Sequence, residues 1–271
     1  VTKALKVTNG NQSSAGAAEY VEISYKPEAQ DIKNSGWNHT SSSSKLTFSC
    51  YVRASIAQTY TAWFTNRDGT RKNYVFSFAL AANTWTKITK TLPGNSGLTI
   101  DNDNGSAIEL FMQMYYGTNY SQANPPGNNT GDWVNHDNET VQDSATNWYL
   151  TNGATFEITG VQLEVDHTGT GVATDFEHRS FTDELLRCQR YYWRMPFDGE
   201  SSLFLYGGAY GSGSGFVRYS LPVKMRATPT FTYTDVRTTS GLSLYNSQYE
   251  MSVQMAAENA YVKNPKLDAE L

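Results

Sequence analysis

The sequence predicts an all-β protein, in which an antiparallel β-sandwich of the jelly-roll type is followed by one short helix and a smaller C-terminal β domain. Three observations predict it. Apolar and polar residues alternate with a period of two through most of the first 165 residues. Clusters of Gly, Pro, Asn and Asp separate the alternating stretches, as turns do. Only 17% of the 271 residues are charged and 13% are aromatic, which suits exposed sheet faces better than surface helices.

Eight strands are predicted in the N-terminal domain, for which we expect bounds of 1–165. In the stretch 45–55, for example, Leu46 and Phe48 alternate with Thr47 and Ser49. The strands are expected at residues 4–8, 19–25, 45–55, 60–65, 73–80, 84–92, 107–116 and 155–165. Strands at this spacing indicate two packed antiparallel sheets. Cys50 belongs to the same alternation, which predicts a buried small hydrophobe and not a disulfide partner.

The pattern changes after residue 165, and residues 166–196 are predicted to form a linker arm that leads into the one helix. Ser180 and Asp183 have the spacing of a capping box. Phe181, Leu185 and Cys188 then share one helical face. A helix of barely three turns is marginal alone, so we expect this face to dock against a sheet.

A smaller β domain is predicted at residues 197–271. Its strands are expected at 202–206, 215–223, 230–235, 241–245 and 250–255. Pro222 and Pro229 place strand ends or edges near residues 222–229. A domain of this size is small for a free-standing sandwich, so we expect it to lean on the helix, on the first domain or on copies of itself.

Charge and hydropathy exclude two classes of partner. A net charge of −5 lacks the basic footprint that nucleic acid requires. The segment 188–194 mixes bases with aromatics as nucleic-acid binders do, but it alternates like a strand, and we interpret it as an interdomain or intersubunit strand. No apolar run approaches the roughly 20 residues of a membrane span, so no membrane insertion is expected.

The sequence indicates no enzyme and no cofactor. The carboxylates Glu164, Glu177, Asp183 and Glu184 cluster near the helix start, where they fit capping and ion pairing better than the paired acids of a glycosidase. Residues 101–105 suggest an EF-hand loop, but the glycine is one position early and the closing glutamate is missing. A hairpin turn is the preferred interpretation. No metal site is predicted, although a single structural Ca²⁺ bound by loop oxygens is left open.

Residues 117–147 form a long loop without periodicity, and such a loop in a compact domain is usually functional or mobile. The chain has six Trp and eighteen Tyr, more than the sandwich core should require. Sugar rings stack on aromatic faces while their hydroxyl groups bond to polar side chains. We therefore predict a glycan-binding site with no catalytic residues. Its candidate residues are Trp133, Tyr115, Tyr120, Trp37, Asp132, Asn135 and His136.

The remaining tryptophans receive different interpretations. Trp85 opens a strand and is expected in the core, while Trp63 and Trp148 could lie either in the core or on the rim of the glycan site. Aromatic residues in a homo-oligomer interface would give the same sequence pattern, so subunit contacts remain an alternative.

A set of ordered motifs carries a family resemblance. The sequences GVQLE (160–164), FEHRS (176–180) and ELLRCQRYY (184–192) occur in order, followed by SLPVKMRATPT (220–230) and DAEL (268–271). They resemble a junction and C-terminal end that recur in bacteriophage tail-fibre and other virion-surface proteins. The first 165 residues also resemble a jelly roll of the carbohydrate-binding-module type, in strand spacing and in a Trp-Thr-Lys strand.

The resemblance implies a virion location, in a tail fibre or another surface appendage. It implies a homo-oligomer, with a trimer favoured, that contacts other virion proteins and attaches to the host. The expected partner is a host cell-surface polysaccharide or lipopolysaccharide. The alternative is a non-adhesive structural virion protein, such as a capsid-surface fibre or a baseplate component.

Overall fold

The computed structural model describes residues 3–137, 141–195, 204–207, 215–233, 235–237, 243–255 and 260–270. The chain divides into two compact units, Val1–Glu177 and His178–Leu271. We call them the N-terminal unit and the C-terminal unit. Their boundary falls inside the segment 166–196 that the sequence indicates as a linker.

Two antiparallel sheets build the N-terminal unit. The four-stranded sheet has the order β1-β11-β3-β6 and the five-stranded sheet the order β2-β7-β4-β5-β9, while β8 and β10 form a small parallel pair. The strands are β1 Leu5–Thr8, β2 Tyr20–Tyr25, β3 Lys45–Ala54, β4 Gln58–Asn66, β5 Lys72–Leu80, β6 Thr86–Pro93, β7 Ile108–Tyr116, β8 Ser121–Gln122, β9 Val134–Asn135, β10 Val141–Gln142 and β11 Thr155–Val165. All eight predicted strands are present, and the predicted all-β sandwich is confirmed.

One large apolar cluster fills the space between the sheets. Phe48, Phe64 and Phe76 pack there with ring centroids 5.3 to 6.5 Å apart. Cys50 is fully buried in this cluster and free, as predicted, and burial raises the pKa of its thiol to about 12. Alternation therefore predicts the inward side of these strands correctly, since the inward face of each strand is withdrawn from water.

The N-terminal unit also contains features that alternation does not predict. Two single-turn helices, α1 Ala29–Lys33 and α2 Asn147–Leu150, interrupt the loops and bury Ile32 and Trp148. A bulge falls between Thr159 and Gln162 of β11, where Gly160 has a φ of 59° that favours glycine. The glycine of the GVQLE motif therefore has a structural role in this strand.

The arm after β11 is fixed by hydrogen bonds to that strand. The Glu164 carboxylate accepts from the backbone N–H of Thr174 at 2.9 Å and from its hydroxyl group at 2.6 Å. The backbone N–H of Glu177 donates to Gln162 Oε1 at 2.9 Å. Asp166 organises the preceding turn by accepting from the backbone N–H of Gly171 at 2.8 Å. These carboxylates act as turn and arm anchors.

The C-terminal unit begins with helix α3, Phe181–Gln189. Ser180 caps it, because its hydroxyl oxygen accepts from the backbone N–H of Asp183 at 3.2 Å, and the predicted N-terminus is confirmed. The expected docking of its apolar face is corrected: no residue of α3 is buried, and Phe181 and Leu185 are 81% and 42% exposed.

Short antiparallel strands form the rest of the C-terminal unit. Where the structure describes them, the strands are β12 Tyr192–Arg194, β13 Phe204–Gly207, β14 Gly215–Ser220, β15 Thr230–Thr232, β16 Asp235–Arg237, β17 Ser243–Asn246, β18 Glu250–Met255, β19 Ala260–Lys263 and β20 Lys266–Asp268. They form three-stranded sheets in which β18, β19 and β20 are the central strands, and the register of β15 on β20 continues unchanged into that of β16 on β19. Trp193, Met251 and Leu267 lie in the buried core of this unit.

Three of the motifs that carry the family resemblance, ELLRCQRYY, SLPVKMRATPT and DAEL, meet inside this unit. The Arg226 side chain donates to the carbonyl oxygens of Ala269 at 2.8 Å and Glu270 at 2.9 Å. Its backbone N–H donates to the Arg190 carbonyl oxygen at 2.8 Å. These residues of the three motifs therefore hold the unit together. The segment 188–194 contributes β12, which pairs with β20 of the same unit.

Candidate functional site

The outer face of the five-stranded sheet, which is the face turned away from the main core, carries a second aromatic cluster. Along β4, Trp63 lies on this face, whereas Ala62 and Phe64 belong to the main core. The Trp63 ring stacks on Phe111 of β7 with centroids 5.1 Å apart, and Val141 of the 117–147 segment packs on both. The central strands of this sheet are therefore covered on both faces.

The 117–147 segment is held on this face by hydrogen bonds to the sheet. The Gln113 side-chain amide donates to the Gln142 carbonyl oxygen at 3.0 Å and to the Ser144 hydroxyl oxygen. The Tyr116 backbone N–H donates to the same hydroxyl oxygen at 2.9 Å. The described part of the segment is therefore folded and covers the sheet: β8 pairs with β10, and β9 pairs with β5. The predicted long loop without regular structure is corrected to this extent.

An open pocket of about 560 Å³ lies between this cover and the ends of β4 and β5. Most of the residues that line it carry a side-chain amide or hydroxyl group, with one carboxylate and, among the described lining residues, no Lys or Arg, although the surface they expose to the pocket is more apolar than polar. The lining residues are Gln58, Thr59, Ser77, Asn128, Asn129, Gln142, Asp143 and Ala145. Amides and hydroxyl groups both donate and accept hydrogen bonds, so the polar atoms of this wall suit the hydroxyl groups of a neutral ligand better than an anion, and its apolar part suits C–H groups.

Hydrogen bonds fix the wall of the pocket. The Asn128 amide donates to Gln142 Oε1 at 3.1 Å, and the Ser77 hydroxyl group donates to Asn128 Oδ1 at 3.1 Å. Gln58 Oε1 accepts from the Trp148 backbone N–H at 3.2 Å, while Gln58 Nε2 is buried without an acceptor among the described residues. A buried donor left unpaired costs about 1–3 kcal/mol, so an acceptor that reached this nitrogen would be stabilised.

A patch of three tyrosine side chains lies near residues 143–144. Tyr20, Tyr116 and Tyr120 pack edge to face, with centroids 5.6 to 6.1 Å apart. Tyr20 is 57% exposed and Tyr120 is 37% exposed. Tyr116 donates its hydroxyl hydrogen to the Glu22 carboxylate; burial raises the pKa of Glu22, and this hydrogen bond opposes the rise.

Two hydrogen bonds connect the tyrosine patch to the pocket. The Asp143 carboxylate, on the pocket wall, accepts from the hydroxyl group of Ser121 at 2.8 Å, and Ser121 directly follows Tyr120. Ser144, between two lining residues, accepts from the Tyr116 backbone. Exposed aromatic rings and the pocket therefore adjoin each other at residues 120–121 and 143–144.

Three of the predicted glycan-binding residues lie in the main core instead of on the surface, and the expectation of exposed rings is corrected for them. Trp133 is 4% exposed and donates its indole N–H to the Pro93 carbonyl oxygen at 2.7 Å. Trp37 is also 4% exposed and donates to the Ser44 carbonyl oxygen at 3.1 Å. Tyr115 stacks on Tyr149 at 4.3 Å. In each case burial of the large ring stabilises the fold.

The other four predicted residues are accessible, but they separate into two places. Tyr120 lies in the tyrosine patch. Asp132 and Asn135 are exposed; Asp132 accepts from the Asn95 amide at 3.3 Å and Asn135 from the Lys72 ammonium group at 2.8 Å. His136 is half-buried beside Asn73. The site residues that sequence reasoning missed are Tyr20 and the amide wall, because scattered amides leave no pattern in the chain.

The other three tryptophans, Trp63, Trp148 and Trp85, differ in exposure. Trp63 and Trp148, which the sequence left open, are both buried. Trp85 is 41% exposed, so its expected core position is wrong. Arg53 lies over the Trp85 ring at 5.0 Å and binds the Glu157 carboxylate at 2.6 Å through its Nε–H. Trp85 directly precedes β6, the edge strand of the four-stranded sheet. Its ring therefore packs against the Arg53 guanidinium group on the outer face of that sheet and not in the core.

Among the described residues, no three His, Cys, Asp or Glu side chains are placed to hold a metal ion together. In the residues 101–105, Asp103 Oδ1 accepts from the Gly105 backbone N–H at 2.8 Å, as in a local turn. None of the described helices is both long and apolar enough to cross a membrane.

Comparisons with known proteins give only a distant structural likeness. No family profile matches the chain, and no curated protein sequence matches it. A solved structure titled "CBM4 structure and function" aligns with 11% identity and a TM-score of 0.33, over 61% of this chain and 85% of that one. Another, "Family 16 Carbohydrate Binding Module-2", aligns with 11% identity and a TM-score of 0.27, over 60% and 77%. At these values the likeness carries no functional argument, and the sandwich is established by the sheet topology.

Proposed function

We propose that the N-terminal unit binds a glycan at the amide-lined pocket and the adjoining tyrosine patch. The observation that carries this proposal is the pocket wall, whose amides and hydroxyl groups match the hydrogen-bonding groups of a sugar. Tyr20 and Tyr120 offer exposed rings on which a further sugar ring stacks. Since the pocket is open and the patch lies at the surface, the single site is shallow and weak.

We further propose that this glycan lies on a host-cell surface and that the chain belongs to a bacteriophage tail fibre or another virion appendage. The support is the ordered set of sequence motifs from GVQLE to DAEL, not the pocket. Several copies of the chain, favoured to be three, raise the overall affinity of weak sites through avidity. The partner class is cell-surface polysaccharide or lipopolysaccharide.

The test is a glycan array probed with the purified full-length chain, followed by two variants that leave the core untouched. Tyr20→Ala removes an exposed ring, and Ala145→Trp fills the pocket from an exposed lining position. We expect each variant to weaken binding at least tenfold, or about 1.4 kcal/mol. Trp85→Ala is the matched control, because it removes an exposed ring from the other sheet.

Two outcomes contradict the proposal: no binding to any arrayed or host-derived glycan, or binding that Ala145→Trp and Tyr20→Ala leave unchanged. The virion assignment is tested separately. Light scattering is expected to report a trimer, and electron microscopy of labelled particles is expected to place the chain at a surface appendage.

The second candidate function is a structural virion protein without adhesive activity. The burial of Trp133, Trp37 and Tyr115 favours it, because the core then accounts for part of the aromatic content that suggested a glycan site. Under this function the exposed tyrosine patch contacts another subunit. Tyr20→Ala would then disrupt the oligomer. Neither the wild type nor this variant would bind a glycan.

A further inference from the structure

A separate group of charged side chains lies where β4 ends and β5 begins. Arg67 follows β4, Arg71 precedes β5, Glu109 belongs to β7 and His136 follows β9. They share the outer face of the five-stranded sheet with the pocket, but none of them lines it. The glycan proposal does not use this group.

The charge of Arg67 is matched within the group. Its Nε–H donates to Glu109 Oε2 at 2.6 Å, and a terminal nitrogen contacts the same oxygen. Glu109 is 4% exposed, and the guanidinium carbon of Arg67 lies 5.8 Å from the centre of the Phe111 ring. Arg67 and Glu109 therefore form a fixed, mutually neutralising pair.

Arg71 has no comparable ion-pair partner among the described residues. Its Nε is buried without an acceptor, and no described residue accepts a hydrogen bond from its guanidinium group. The side chain is half-buried, and Arg67 repels it while Glu109 attracts it. A guanidinium group in partly dry surroundings is strongly stabilised by an oxyanion that takes two of its N–H groups. The unpaired Arg71 is therefore a site to which such a group would bind.

His136 adds a second donor beside Arg71. Its backbone N–H donates to the Arg71 carbonyl oxygen at 2.9 Å, which keeps the two residues together. Asn73 Oδ1 accepts from the Thr65 hydroxyl group at 2.7 Å, so Asn73 Nδ2, which lies 3.1 Å from His136 Nδ1, is a donor. His136 Nδ1 then accepts, and in the neutral ring the hydrogen is on Nε2.

We propose that Arg71 and His136 bind an oxyanion, a carboxylate or sulfate group carried by an acidic ligand. The charges around His136 set the charge of the ligand: Arg71 and Arg67 are positive, Asp137 is negative, and Glu109 is already paired with Arg67, which favours a single negative charge. The oxyanion site depends only on its own residues. That the oxyanion belongs to an acidic glycan rests on the proposed function.

The test measures the signals of isotope-labelled histidine side chains in the 271-residue chain by NMR, with His136→Gln to assign the His136 signal. The probes are sodium glucuronate, sodium methyl sulfate (a singly charged sulfate ester, called sulfate below) and glucose at constant ionic strength in chloride. Glucuronate, sulfate or both are expected to shift the His136 signal in a saturable way, and glucose is not. Glucuronate alone indicates a carboxylate site, sulfate alone a sulfate site, and both a general oxyanion site.

Variants then identify the group responsible. Arg71→Gln is expected to weaken oxyanion binding at least tenfold, and Arg71→Lys less, because Lys keeps the charge but loses the planar fork. Arg53→Gln is the matched control, since Arg53 is an ion-paired arginine on the other sheet. Unchanged thermal unfolding shows that a variant is folded, and Arg71→Lys replaces Arg71→Gln if the latter is not.

The proposal is overturned if neither oxyanion shifts the His136 signal, or if Arg71→Gln and Arg71→Lys bind as the wild type does. Ala145→Trp separates this result from the proposed function. It fills the pocket and is expected to leave oxyanion binding unchanged. A negative glycan array together with retained glucuronate or sulfate binding would refute the glycan function alone.

Discussion

Replacing Trp133 by Ala is expected to destabilise the N-terminal unit strongly. The side chain is 4% exposed, contacts Tyr74 at a centroid distance of 5.8 Å and donates its indole N–H to the Pro93 carbonyl oxygen. A buried aromatic side chain withdraws about 150–250 Å² from water. At about 25 cal/mol per Å² this gives about 4–6 kcal/mol, near the measured range of about 3–5 kcal/mol for Trp→Ala in cores.

We therefore expect the free energy of unfolding to fall by about 3–5 kcal/mol in Trp133→Ala. In Trp133→Phe it should fall by about 1–3 kcal/mol, because the ring is largely kept and the hydrogen bond to Pro93 is lost. The measurement is urea denaturation of the full-length chain followed by circular dichroism. Hydrogen exchange then assigns the lost protection to the N-terminal unit.

Trp85→Ala is the control, since Trp85 is 41% exposed and its contact with Arg53 is a surface cation–π pair. It should cost less than about 1 kcal/mol. The reasoning fails if Trp133→Ala costs less than about 1 kcal/mol, or if the two variants cost the same. Lost glycan binding without lost stability would return Trp133 to a ligand-binding role.

Three further predictions follow from burial and close packing. Burial raises the pKa of Glu22, so the contribution of this group to stability is present at low pH and is lost as pH rises through its folded pKa. The melting temperature of Glu22→Gln should therefore rise relative to that of the wild type as the pH increases above the ordinary pKa of glutamate, and a pH-independent difference would contradict this. A thiol reagent should label Cys188 but not Cys50 in the folded chain, since only Cys188 is exposed; fast labelling that survives Cys188→Ala would show that Cys50 is accessible. Gly117→Ala should lower the free energy of unfolding in urea by about 1–3 kcal/mol, because the added Cβ overlaps the carbonyl oxygens of residues 16 and 17. Gly10→Ala is the control, since a Cβ has room there and the free energy of unfolding should hardly change. Equal losses in the two variants would refute the clash.

Much of the fold could be predicted from local pattern. Strands such as Lys45–Ala54 alternate because one face meets the core, and Ser180 caps α3 because its hydroxyl oxygen accepts from the chain three residues ahead. Both are properties of neighbouring residues. The single-turn helices Ala29–Lys33 and Asn147–Leu150 were missed, because so short a helix depends on the packing of Ile32 and Trp148 rather than on its own sequence.

The candidate site was less predictable, because it depends on how the 117–147 segment folds back on the sheet. Trp133 has the polar neighbours of a loop residue, yet the segment turns its ring into the core. Tyr20 and Tyr120 are 100 residues apart in the sequence and become neighbours because β2 pairs with β7. Arg71 and His136 meet in the same way, through the pairing of β9 with β5.

The amino-acid order alone is enough to predict the all-β class, the strand positions, the buried Cys50 and the start of α3, because these depend on periodicity and on contacts within a few residues. The tertiary fold sets which aromatic rings are buried, which side chains line the pocket and which arginine lacks an acceptor among the described residues. Those properties arise where segments distant in sequence meet, and whether a side chain faces water there depends on what covers it.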